Sequence, residues 1–107
     1  GFKSQILESL NSGNEDIHYQ AVSAAGNWGL SEAWSHVSDL ALSADTDKEL
    51  RLAAIEALAT IKPGKSQDVL ADLVSDDDED VADVANEALG MAQGMLESDT
   101  FDEDDLD

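Results

Sequence analysis

A chain of 107 residues can bury one modest core but not two, so a single structural unit is expected. With 25 acidic against 5 basic residues, a formal net charge of −20, its field repels phosphate backbones and anionic membranes and attracts basic surfaces. The lack of cysteine excludes disulfides, thiolate metal sites and a cysteine nucleophile. Hydrophobic residues reach 42% and aromatics only 5%, so the core must come from Ala, Leu, Val and Ile, a composition suited to helices in tight contact. No apolar run approaches the roughly 20 residues of a membrane span, and Gly1 to Ser4 do not open a secretory signal, so a soluble cytoplasmic protein is expected. Gly1 in place of Met fits either a processed product or a piece of a longer chain. The acidity taken alone fits solubility or a salty habitat as well as it fits partner binding.

In chain order, Ile6, Leu7 and Leu10 mark a first short helix, and Gly13 marks a turn. Asn14 stands where a short polar side chain caps a second helix, whose core offsets are Ile17, Gln20, Ala21, Ala24, Ala25 and Trp28. Beyond the Gly29 turn and a capping Ser31, a third helix carries Trp34, Val37, Leu40 and Ala41. Asp47 caps a fourth, with Leu50, Ala53, Ala54, Ala57, Leu58 and Ile61. After the Pro63-Gly64 turn, Ser66 caps a fifth with Val69, Leu70 and Leu73. Asp78 caps a sixth with Val81, Val84, Ala85, Ala88, Leu89 and Ala92. The second, fourth and sixth helices share one set of offsets, recurring after 33 and then 31 residues, with Gln20 the one polar exception. Such a period predicts an all-α solenoid of about three antiparallel helix pairs, over 4–29, 31–61 and 65–97 of a domain 1–97. Residues 98–107 read as an acidic, disordered tail.

The segments Asp47-Lys-Glu-Leu-Arg-Leu-Ala-Ala-Ile-Glu-Ala-Leu-Ala and Asp78-Glu-Asp-Val-Ala-Asp-Val-Ala-Asn-Glu-Ala-Leu-Gly resemble the second helix of HEAT repeats. They are most similar to the short bacterial and archaeal type also found in phycobilin lyases. Asn14-Glu-Asp-Ile-His-Tyr-Gln-Ala-Val-Ser-Ala-Ala-Gly resembles it less closely. The resemblance covers about residues 4–97 and implies an α-α superhelix that works as a protein-binding scaffold. It also permits an accessory subunit of a tetrapyrrole lyase-like enzyme, although no residue compels that reading. In the family an Asp and an Arg often form a ladder between repeats. Here the usual Val-Arg pair is kept as Leu50-Arg51 but becomes Ile17-His18 and Val81-Ala82, so one complete rung remains.

If the core offsets form one face, the opposite face of the second helices presents Tyr19, Val22, Leu52, Ile55 and Ala59 as an apolar strip, with Glu56, Asp83 and Glu87 as flanking acids. An exposed apolar strip rimmed by charge favours a protein partner with a basic or mixed apolar-basic surface. The competing reading places Val22 and Ile55 in the core under neighbouring helices. Self-association through an exposed terminal repeat is a further possibility. Arg51, near Asp45 and Asp47, is expected to be a salt-bridged strut between repeats. Trp28 and Trp34 are expected to pack between the first two repeats.

Chemistry is harder to find. Asp76, Asp78, Asp80 and Glu87 fall at ligand spacings of a calcium loop, but Val81 occupies the place where that loop needs Gly, so they read as a capped, solvated turn. Glu32, His36 and Asp39 can share a helix face, yet His18 lies on another helix and no third ligand follows from spacing. No metal, cofactor or catalytic residue is expected, and the protein reads as a binding module and not an enzyme.

Overall fold

Each apolar stripe folds as a helix. The computed structural model describes residues 2–106, with side chains for residues 2–96. The helices are α1 (Phe2–Ser9), α2 (Glu15–Trp28), α3 (Trp34–Leu42, entered through a 3-10 turn at Ser31–Ala33), α4 (Lys48–Ile61), α5 (Pro63–Leu73) and α6 (Glu79–Leu106). The expectation of a disordered tail over 98–107 falls outside the residues whose side chains are described. Among the described residues there is no strand, and no helix is long and apolar enough to cross a membrane.

The capping residues behave unequally. Asn14 accepts from the amides of Asp16 at 2.9 Å and Ile17 at 3.2 Å, and Asp78 accepts from that of Asp80 at 2.9 Å, so both satisfy opening-turn donors. Asp47 makes no such bond, and α4 begins without a side-chain cap. Ser66 is not a cap either: α5 starts at Pro63, whose fixed φ suits a first helical position, and the buried Ser66 hydroxyl donates to the Pro63 carbonyl at 2.8 Å. At the end of α2, Gly29 adopts φ +59°, and the Leu30 amide donates to the Ala25 carbonyl at 3.0 Å, a Schellman closure that turns the chain into the next repeat.

Helices α2, α4 and α6 lie side by side, with α3 packed on α4 and α5 on α6 behind them. Helices α2 and α4 approach closely at Gly26. A Cβ built on Gly26 would stand 3.0 Å from the Ala57 Cβ and 3.1 Å from its Cα, so only a bare backbone fits there. The shared offsets four and eight supply Ala21 and Ala25, Ala54 and Leu58, and Ala85 and Leu89 to the interior, with Leu89 half-buried and the rest buried.

Three expectations are corrected here. Val22, Ile55 and Ala59 are fully buried and cannot form an outer strip. Because α4 is contacted by α2, α3, α5 and α6, its hidden arc extends past the first apolar stripe and takes in offset five. Trp28 is not core: it is 64% exposed and packs on the exposed Phe2, ring centroids 5.1 Å apart. Trp34 is buried, but it is covered by Lys65 of the third repeat, whose Nζ lies 5.5 Å from the ring centroid, and so bridges the second and third repeats.

Arg51 is the expected strut with a different partner. Its buried side chain donates from Nε to the Ala41 carbonyl at 2.9 Å and from Nη2 to Asp76 Oδ2 at 3.3 Å, tying α3 and α4 to the loop before α6. Asp47 takes no part in that tie. On the same helix Lys48 contacts Asp78 at 3.4 Å and Asp80 at 2.5 Å. Three of the four carboxylates at calcium-loop spacing, Asp76, Asp78 and Asp80, are thus engaged by cations of the protein itself.

Candidate functional site

Once the buried arcs are set, the free side of the stack is the row of α2, α4 and α6 facing away from α1, α3 and α5. Three shallow depressions meet on it at Tyr19, which is 43% exposed. One, of about 260 Å³, runs between α2 and α4 over Ser23, Gly26, Glu56 and Thr60 and reaches Met91 of α6. The second, of about 400 Å³, is lined by Glu49, Leu52, Ala53, Glu56 and Val84. The third, of about 290 Å³, gathers Glu15, Asp16, Asp47 and Glu49 around the outer edge of the Tyr19 ring. No Lys or Arg lines any of the three. Three of the five basic residues are held in ion pairs, Lys3 with Glu32, Lys48 with Asp78 and Asp80, and Arg51 with Asp76, while Lys65 lies over Trp34.

Of the residues assigned to binding from sequence, Tyr19, Leu52 and Glu56 come together in these depressions, with Leu52 half-buried and Glu56 exposed. Asp83 and Glu87 are exposed on α6, outside the lining of all three. Val22 and Ile55 lie beneath the surface. Asp47, assigned to the Arg51 strut, borders the acidic end of the groove instead. Sequence reasoning missed Ala53, Val84 and Met91. The first two sit at offset three, counted as core, but its occupant on α2 is Gln20, which is exposed. That polar exception was the available signal that offset three faces outward.

Residues 4–90 match the sequence family described as HEAT repeats. The chain belongs to the HEAT-repeat family. HEAT repeats generally mediate protein–protein interaction or scaffolding. No curated protein and no solved structure gives a significant match to the chain. In HEAT terms α2, α4 and α6 are the second helices, and the groove runs across all three.

The HEAT register also relates two residues that composition leaves apart. Arg51 occupies offset one of α4, and His18 occupies offset one of α2. As Arg51 ties the second repeat to the third, His18 ties the first to the second: its Nε2 lies 2.9 Å from Nε2 of His36 on α3, one imidazole donating its proton to the bare nitrogen of the other. Burial first, and the neighbouring His36 second, hold the His18 pKa below its ordinary 6.5. The unfolded chain therefore binds this proton more readily than the folded one. This contribution to stability is complete above 6.5 and falls as pH drops through 6.5 toward the lower folded value. Urea unfolding at about pH 7.5 and 5.5 is expected to show a loss on acidification that is smaller in His18→Gln, the difference between the two proteins isolating this group from the carboxylates.

Proposed function

We propose that this HEAT-repeat chain is a non-catalytic interaction module that holds a protein segment bearing basic residues and one or two apolar anchors along the α2–α4–α6 groove. The observation that carries the reading is the setting of Tyr19: an exposed aromatic ring where three depressions meet, ringed by Glu15, Asp16, Asp47, Glu49 and Glu56 without a neutralising base. Half-exposed aromatic side chains at the centre of a concave surface supply contact area at low entropic cost, and the acids around them select a cation-bearing partner over an anionic one. Leu52, Val84 and Met91 extend the apolar floor toward the third repeat. A cytoplasmic setting belongs to the same reading.

The test is a Tyr19→Asp, Leu52→Asp double variant against a Lys/Arg-rich amphipathic helical peptide with Leu and Phe anchors. Tyr19 is exposed and Leu52 half-buried at the edge of the core, so the helical circular dichroism signal is expected to persist. Removal of an aromatic anchor costs about 2 kcal/mol or more, and binding measured by calorimetry should weaken roughly 30-fold. Equal affinity of the wild-type and double-variant proteins would place the partner surface elsewhere.

A further inference from the structure

The offsets shared by α2, α4 and α6 fare differently at the two ends of the stack. Offsets zero and eleven are Val81 and Ala92 on α6, both buried, and Leu50 and Ile61 on α4, half-buried and buried. On α2 they are Ile17, 46% exposed, and Trp28, 64% exposed. Helix α4 has α2 against it and α6 has α4, and among the described residues no preceding second helix does this for α2. At the other end the pattern inverts. Offset five is the fully buried Val22 and Ile55 on α2 and α4, but on α6 it is the exposed Asn86, followed by the exposed Glu87. The α6 end is thus finished with polar side chains, as a terminal repeat must be to stay in water, and the α1–α2 end is not. We propose that the α1–α2 end is a self-association surface, on which a second copy of this chain packs the same two helices about a twofold axis.

Shape, charge and area each favour that occupant. A groove of about 260 Å³ runs between α1 and α2 from Phe2 to Ile17, past Gln5, Ser9 and Gln20, and Phe2 joins it to Trp28, ring centroids 5.1 Å apart. What covers the equivalent offsets on α4 and α6 is a helix of this same repeat, so a helix of this kind suits the groove. No Asp, Glu, Lys or Arg lines it, whereas acids line each of the three depressions around Tyr19. Two chains of net charge −20 repel each other, and here they can meet without burying a carboxylate. A basic partner, in contrast, finds no acid in this groove. At about 150–250 Å² for an aromatic ring, Phe2 at 59% exposure and Trp28, with Ile17, leave on the order of 300 Å² of apolar surface on each copy. With the neutral side chains around them, two such faces approach about 1,000 Å², where specific interfaces begin. Because the α6 end is polar and acidic, head-to-tail growth is disfavoured, and the pair closes as a twofold dimer.

Sedimentation velocity of the full chain from about 1 to 300 µM should pass from monomer to dimer and stop there, with a dissociation constant on the order of tens of micromolar. Raising NaCl from about 0.05 to 0.5 M should tighten the dimer by screening the repulsion, the reverse of its effect on a cation held at Tyr19. Intrinsic fluorescence gives a second readout: Trp34 is already buried, so a blue shift of the emission with concentration reports Trp28 leaving water. The double variant Ile17→Glu, Trp28→Ser is expected to weaken the dimer about 30-fold or more, since it sets a carboxylate from each copy on the shared face. Ile17 stands in the first turn of α2, where an acid suits the helix N-terminus, so the fold should persist. The Tyr19→Asp, Leu52→Asp variant should dimerise like wild type, which separates this outcome from the fate of the partner groove. A wild-type chain that stays monomeric with unshifted emission up to about 300 µM in 0.5 M NaCl overturns the proposal. Growth beyond a dimer, association indifferent to the end-face substitutions, or association lost in the groove variant also overturns it. Should the end-face variant fail to fold, the wild-type sedimentation and emission decide.

Discussion

Truncating Ile55 to Ala is expected to lower the free energy of unfolding by about 2–5 kcal/mol, the range for deleting a buried branched side chain and leaving a cavity. The side chain is fully buried in α4, a helix packed by four others, so its surroundings cannot collapse without moving several hairpins. Against a total stability of about 5–15 kcal/mol for a domain of this size, that loss shows directly in a urea melt as a lower midpoint. Tyr19→Ala makes the contrast, since an exposed groove residue should shift stability by only about 0.5 kcal/mol. A comparably small change for Ile55→Ala would mean that its side chain reaches the groove after all.

Replacing Arg51 with Ala is the second large effect, expected at about 2–3 kcal/mol. The variant leaves the Ala41 carbonyl and Asp76 without their donor, and hydrogen bonds to a charged group contribute about 1.5–3 kcal/mol. It also removes an aliphatic stem packed between repeats, whereas Arg51→Lys restores the charge but not the fork that serves two acceptors at once. Differential scanning calorimetry should rank the proteins wild type, Arg51→Lys, Arg51→Ala. Lys48→Ala should change little, because the ammonium and its acidic partners stand in solvent and the entropy of ordering them offsets their attraction. A large effect for Lys48 and none for Arg51 would reverse the assignment of the inter-repeat tie.

How far the sequence could be read varied with what each residue depends on. The helices were legible because helix formation is local: apolar residues three and four apart, a cap at Asn14 and a break at Gly29 are chemistry of a few neighbours. The groove was legible only in part. Tyr19 and Leu52 lie opposite the stripe and could be placed from one helix alone, but Val22 and Ile55 are hidden by helices distant in sequence, and no single-helix projection contains that information. The same limit explains Trp28, whose apolar offset meets no preceding hairpin among the described residues and therefore stays in solvent. It explains the strut as well, since Asp47 is four residues from Arg51 while the true partner, Asp76, arrives with the next repeat. His18 and His36 were each visible as single residues, and only the stacking of two repeats makes them a pair.

The unneutralised carboxylates around Tyr19 carry a kinetic consequence. A concave wall of one sign focuses its field into the groove, and such focusing raises encounter rates by about 10- to 1,000-fold at low ionic strength. Salt screens that attraction over about 10 Å at 0.1 M, but leaves the apolar contacts of Tyr19, Leu52 and Met91 nearly untouched. For a cationic partner the two ingredients therefore separate in time: the acids govern how often it arrives, and the apolar floor governs how long it stays.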